Sequence, residues 1–311
     1  MKRAAAIGAA AALLVALPWI VAGDYYVNLS SQILIAAIFA MSLNIVVGYG
    51  GMVSLGHAAY LGVAAYATAW IMLRLGLGPL AAGAAALVFT TAMAAFFGVL
   101  ALRASGLSFL MITLALGQIL WGLAYRWVGV TGGDNGLTGL TRPKPFGIEL
   151  TGATPFYYFA LIVFAVALVA MALIVRSPFG ASLQGARDQP RRMNALGHHV
   201  WMVQWAAFVL SGFWGAVAGV LYVYYNTFIS PHALSLQNSA EVLLMVIAGG
   251  PATTLGPVVG AALVVIIKNV VSAYLERWVM LLGVVFVLIV MFLPEGIVPG
   301  VQRLIARRKK T

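Results

Sequence analysis

The stretch Arg176–Val200 reads RSPFGASLQGARDQPRRMNALGHHV and separates two long apolar runs. It sets Arg176, Arg187, Arg191 and Arg192 against a single acid, Asp188. A short basic loop between membrane spans is held in the cytoplasm by the bias of Lys and Arg toward that side. Small residues (Gly180, Ala181, Ser182, Gly185, Ala186) lead up to Arg187-Asp188, and a second small stretch ends at Gly197. A short surface helix with a small-residue face can seat in a groove of another protein. The loop is therefore a candidate handle by which a cytoplasmic machine grips a membrane part.

Outward from this loop the chain is suited to lipid. Its 311 residues are 63% hydrophobic and 8% charged, whereas soluble domains carry roughly 25% charged residues. No Asp, Glu, Lys or Arg occurs between Asp24 and Arg74, or between Arg192 and Glu241. At about 20 residues per crossing, each such stretch holds more than one span. The expectation is an all-α, polytopic helical membrane protein, one continuous membrane domain over residues 1–311. The 34 glycines suit helices that pack closely through small residues. The net charge of +11 gathers in Lys2-Arg3, the Arg176–Arg192 loop and Arg307–Lys310, the pattern that orients a bundle rather than one that binds nucleic acid. With no cysteine, disulfides and thiolate metal sites are excluded.

Reading apolar runs against their breaks gives about ten transmembrane segments: 4–22, 29–48, 57–75, 80–101, 105–125, 155–175, 204–225, 240–253, 257–274 and 278–294. With Lys2-Arg3 inside, alternation also places Arg103, the basic loop (about 176–203) and the C-terminal tail inside. Twelve of the 18 basic residues then share one side, and both termini are cytoplasmic. The segment 240–253 is short for a crossing and ends in Gly249-Gly250-Pro251, so a broken or re-entrant helix is expected there. Met1-Lys2-Arg3 followed by Ala4–Val21 resembles a signal peptide with cleavage near Ala22-Gly23. Span parity favours an uncleaved first helix. On the outside, about 127–154 contains TGGDNGLTGL (Thr131–Leu140), then Pro143, Pro145 and Gly147. That composition marks ordered turns, serving either as a binding loop or as a solvated connector.

Two stretches at membrane depth look irregular: Gly48–His57 (GYGGMVSLGH) and Ala248–Pro257 (AGGPATTLGP). Breaks at corresponding places in two halves of a chain point to a transport pathway. That makes Ser54, His57, Thr253 and Thr254 pathway candidates. For His57 two roles are open: an intramembrane ionisable group is a functional candidate, and a neutral imidazole bonded to a backbone carbonyl is a structural one. Asn44 and Gln118, in otherwise apolar helices, either bond between helices or line the path. Glu241 either faces the path or complements a helix N-terminus.

Soluble-enzyme signatures are missing. None of the five lysines lies in a G-x-x-x-x-G-K-[ST] phosphate loop, and His198-His199 and His232 lack acids at metal spacing. No cofactor, metal or catalytic residue is expected. Glu241, Glu276 and Glu295 fall at span ends, which weakens an ion-coupled secondary carrier or channel as the alternative.

Gly48–Tyr66 (GYGGMVSLGHAAYLGVAAY), Thr131–Leu140, Ser177–Gly197 and Val242–Ala261 (VLLMVIAGGPATTLGPVVGA) resemble, in order, the LivM-type permease subunit of ATP-binding-cassette importers for branched-chain amino acids. The resemblance implies a LivH-like sister permease, two cytoplasmic ATPase subunits and a periplasmic substrate-binding protein as partners. It further implies a bacterial inner-membrane setting in lipid and no ATPase site in the chain itself. It would place Gly185, Ala186, Arg187, Asp188 and Gly197 at the ATPase contact. Relatives of this type also import urea, amides and aromatic acids. Gln189-Pro190 departs from the family's usual loop, and Pro190 is expected to start or kink the coupling helix.

Overall fold

Each apolar run satisfies its own backbone hydrogen bonds as a helix, as lipid demands. The computed structural model describes residues 12–19, 23–144, 150–271, 278–293, 295–300 and 303. The helices are α1 (12–19), α2 (Asp24–Asn44, running on as a π turn over Ile45–Tyr49), α3 (Ala58–Leu75), α4 (Pro79–Ala101), α5 (Leu107–Arg126) and α6 (Ala153–Arg176). After them come α7 (Pro178–Asp188), α8 (Pro190–Ala195), α9 (Val200–Asn226), α10 (Leu236–Gly249), α11 (Gly256–Ile266, with a π turn over Ile267–Val271) and α12 (Trp278–Phe292).

Six of them, α2 with its π turn, α3, α4, α5, α6 and α9, are long and apolar enough to cross a membrane. The expected count of about ten exceeds this because it gave shorter helices the weight of full spans. Helix α10 has 14 residues and rises about 21 Å, well under a hydrocarbon core of roughly 30 Å. It also starts earlier than the expected 240–253, because Ser235 caps it, its Oγ accepting from the Asn238 N–H at 3.3 Å. Helix α12 has 15 residues. Most of the expected span 4–22 lies outside the described residues, as do Glu276 and the tail Arg307–Lys310. The described 12–19 segment docks on α6, where the Tyr157 and Tyr158 hydroxyls donate to the Leu14 and Val15 carbonyls at 2.6 and 3.1 Å.

Helices α2 and α9 form the centre: 78% and 72% of their most apolar stretches are buried, against 22% for α5 and for α6. Helix α9 packs on α2, α3 and α4, while α11 packs on α2 and α10. Glycine permits close crossings; a Cβ on Gly219 of α9 would strike the Leu61 carbonyl of α3.

Between α6 and α9 the basic loop is helical. Ser177 caps α7 and Pro178 occupies its first turn. Gln189 then leaves helical geometry (φ −147, ψ 77) and Pro190 opens α8. Proline cannot continue the α7 ladder, so the break expected at this residue is present. At the other end of α9, the turns of the 127–154 segment pair with residues that follow the helix. Leu137 and Ile229 exchange N–H···O bonds of 2.8 and 3.1 Å. Arg142 donates to the carbonyls of Leu150, Thr151 and Tyr225 at 3.2, 3.0 and 3.1 Å. Ordered turns are thus present as expected, with 145–149 outside the described residues. The basic loop and the 127–154 segment therefore occupy opposite ends of the bundle, as alternation requires.

Candidate functional site

The last turn of α2 widens to π geometry over Ile45–Tyr49, after which Gly50 and Met52 N–H groups return to the Ile45 and Val46 carbonyls, both at 2.9 Å. Helix α7 lies against this exit. Arg187 Nη1 donates to the Gly48 carbonyl at 2.8 Å, and its Nε donates to Asp188 Oδ1 at 2.8 Å. Gly51 adopts φ +67, and a Cβ there would run into the Arg187 methylenes. Glycine is needed at 51 both for the left-handed backbone and for the space. Gly185 and Ala186 sit on the same helix, Ala186 buried and Gly185 facing Met193 of α8. Gly197 lies beyond α8 at φ +87.

The second irregular stretch meets the first. Asn44 Nδ2 donates to the Thr253 carbonyl at 2.9 Å, and Asn44 Oδ1 accepts from the Ala252 N–H at 3.0 Å. Both ends of one side-chain amide are thus spent on the backbone of the α10–α11 link. Thr253 Oγ1 donates to the Gly250 carbonyl at 2.7 Å and accepts from the Gly256 N–H at 3.0 Å, capping α11. Thr254 lies beside the Tyr49 side chain. The two breaks, related in sequence by position alone, are in contact. Asn44 thus bonds from its helix to the backbone of a link rather than to a second helix.

His57, at the start of α3, is 1% exposed. Its Nε2 lies 2.7 Å from Ser42 Oγ, whose own hydrogen goes to the Phe39 carbonyl at 2.6 Å. The hydroxyl has one hydrogen, so Nε2–H is the donor to Ser42. The partner is therefore a side chain of α2, not the backbone carbonyl of the structural expectation. The ring stacks on Phe39 (centroids 5.2 Å) and meets Tyr60 edge-on (5.5 Å). Ser54 is buried, facing Thr113, Gly117 and Phe208 in a slit too narrow for water. Gln118 lies half-buried on α5 and joins neither the breaks nor the cavity described next.

A cavity of about 260 Å³ opens among α2, α9, α10 and α11. Glu241 belongs to it and is 6% exposed. Because α10 starts at Leu236, Glu241 stands in its second turn, beyond the reach of the helix-terminus dipole. The dipole explanation therefore gives way to an ion pair: Lys268 Nζ lies 2.9 Å from Glu241 Oε2. Beside it, Gln32 Nε2 donates to the Tyr225 hydroxyl at 3.0 Å and Asn269 Nδ2 donates to Gln32 Oε1 at 3.2 Å. Phe39 lines the cavity on one side and stacks on His57 on the other.

Gln32, Lys268 and Asn269 were missed by sequence reasoning. The available signal was polarity inside apolar helices, the same signal that singled out Asn44. Among the described residues no group of three or more His, Cys, Asp or Glu could hold a metal ion.

Comparison with known proteins gives a consistent result. The family model described as "Branched-chain amino acid transport system / permease component" matches residues 25–291. The "High-affinity branched-chain amino acid transport system permease protein LivM" of Salmonella typhimurium is 25% identical over 296 residues, covering 88% of this chain and 70% of that protein. The protein of the same name from Escherichia coli is 26% identical with the same coverage. A "Probable branched-chain amino acid transport permease protein LivM" of Methanocaldococcus jannaschii is 26% identical over 182 residues, covering 53% of this chain and 52% of its own length. No solved structure matches the chain significantly.

Proposed function

The chain belongs to the branched-chain amino acid transport permease family, and from that membership we propose that it is the transmembrane permease subunit of an ATP-binding-cassette importer. Its relatives are permease proteins, and a permease subunit has no catalytic residues of its own. In this reading the chain is one permease domain, multi-pass in a bacterial inner membrane with both termini cytoplasmic. It pairs with a LivH-like sister permease, two cytoplasmic ATPase subunits and a periplasmic substrate-binding protein. Its substrate is a branched-chain amino acid or a related small molecule.

The observation that carries the reading is the seating of α7 on the exit of α2. An importer needs a surface element that an ATPase can move and that is tied to the transport path. Helix α7 meets that need through the Arg187–Gly48 bond of 2.8 Å, with Gly185, Ala186, Asp188 and Gly197 beside it at the proposed ATPase contact. Helix α2 runs from there past Asn44, Phe39 and Gln32 to the cavity wall. From Gln32 to Asn44 the helix rises about 18 Å, so displacement of α7 reaches the cavity through one rigid element. ATP binding in the partner then shifts the balance between two conformations of the bundle. Asn44, Ser54, His57, Thr253 and Thr254 belong to the moving junction. Glu241 belongs to the path itself, and Gln118 has no role in this scheme.

The test is uptake of L-leucine by cells carrying the chain and its partner subunits, with ATP hydrolysis abolished in the ATPase or the proton gradient collapsed. Loss in the first condition and persistence in the second is expected. The reverse result would establish an ion-coupled carrier, the alternative to which the buried Glu241 gives its best support.

A further inference from the structure

The Glu241–Lys268 pair stands in the wall of a cavity that also carries Gln32, Asn226, Asn238 and Asn269 beside its apolar side chains. A neutral residue at 241 would pack there without the loss of hydration that the carboxylate suffers on burial. Stability therefore does not account for it. The pair is also incompletely satisfied on the carboxylate side. Glu241 Oε2 takes the Lys268 ammonium at 2.9 Å, whereas Oε1 is met by Gln237 Nε2 only at 3.5 Å, the long limit of a hydrogen bond. The Lys268 side chain is 40% exposed and Glu241 8%, so the ammonium is the more approachable partner. The same cavity is lined by Ile35, Phe39, Leu61, Val242 and Met245. Charged and hydrocarbon groups thus line one cavity.

We propose that this pair is the docking point for a zwitterion with an aliphatic side chain. The substrate carboxylate takes Lys268 and its ammonium takes Glu241, so each charge of the pair meets an opposite charge of the ligand. The side chain then lies against the apolar wall. The inference rests on the permease reading and narrows its substrate class. Urea and neutral amides present no charge pair, and a site built around buried charges rejects ligands that leave those charges unmatched. A family whose relatives differ in cargo would thus differ here, at a place outside the two glycine-rich breaks.

Two experiments test it, both on the assembled transporter. The first replaces Glu241→Gln together with Lys268→Met and measures L-leucine uptake alongside co-purification of the ATPase. We expect assembly with at least about a tenfold loss of uptake, since a zwitterionic ligand then loses both of its opposite charges. Assembly with wild-type uptake would overturn the proposal, because that is the outcome for a merely structural pair. The second leaves the pair intact. In the cysteine-free chain, Asn238→Cys at the cavity rim is reacted with a water-soluble thiol reagent. L-leucine should slow the reaction at least about fivefold. Isocaproate, which lacks the amine, and isopentylamine, which lacks the carboxylate, should not. Equal protection by all three, or by none, would overturn the proposal even if the double variant fails to fold. Absence of any amino-acid uptake by the wild-type complex is a different result, since it defeats the permease reading itself.

Discussion

Arg187 on the surface helix α7 donates from Nη1 to the Gly48 carbonyl in the last, widened turn of α2, at 2.8 Å. The contact links residues 139 positions apart, and it uses a carbonyl that a π turn leaves available. Its strength is moderate, because the Arg187 side chain is 34% exposed and water competes for the guanidinium. Its value lies in direction: a push or pull on α7 acts along α2.

The Arg187→Glu, Asp188→Lys double variant should insert normally and lose function. A carboxylate at 187 faces the Gly48 carbonyl with repulsion in place of a hydrogen bond, while the surface pair itself contributes only about 0–1 kcal/mol. Uptake should fall by at least about tenfold, with ATPase co-purification reduced. Normal co-purification and uptake would remove α7 from the coupling role.

Asn44→Ala should destabilise the protein by about 2–4 kcal/mol, since the Ala252 N–H and the Thr253 carbonyl both lose their side-chain partner. Asn44→Asp should be no better. It keeps the acceptor for Ala252 but turns a negative oxygen toward the Thr253 carbonyl. Loss of folded protein on heating in detergent is the measure, and unchanged heat resistance in either variant would contradict the clamp.

His57→Gln should keep uptake within about threefold of wild type, because the Gln amide can still donate to Ser42. His57→Leu should lose more, on the order of tenfold, as Ser42 Oγ is left without its donor in a buried setting. The pair of uptake rates is decisive: equal loss in both variants would mean that the imidazole itself is required.

Reporter tags at Gln184 and after Thr311 should both read cytoplasmic, and a tag within 132–138 should read the opposite side. Gln184 lies on α7 and the 132–138 segment pairs with Ile229 beyond the far end of α9. A tag after Thr311 on the outside would mean an odd number of crossings, with α10 the first helix to reconsider.

Much of this arrangement was legible in the chain, in proportion to how local its causes are. Gly48–His57 and Ala248–Pro257 announced themselves as breaks because glycine and proline act on their own backbone. Pro190 signalled the split between α7 and α8 for the same reason. Asn44 stood out as polar in an apolar helix, yet its partners lie more than 200 residues away, and no local rule supplies them. Glu241 was noticed, but of its two readings the helix-terminus one falls away, since Leu236–Ala240 begins with Leu-Gln-Asn-Ser and reads as a loop until Ser235 is seen to cap it. Lys268 was hidden in an apolar run, its meaning dependent on a carboxylate 27 residues back. Of the expected spans, those with the length of a full crossing number six among the described residues, and helix length rather than composition sets the difference.

The Asn44 clamp has a consequence for how such a chain can diverge. An amide that grips peptide groups reads no side chains, so residues 252 and 253 can change identity while the grip persists. Asn44 itself has no such freedom, because few other side chains offer one donor and one acceptor at that reach. The junction between the breaks is therefore tolerant on one side and rigid on the other. Side chains that line the cavity and side chains on α7 can both drift, while a single amide keeps α2 joined to the α10–α11 link.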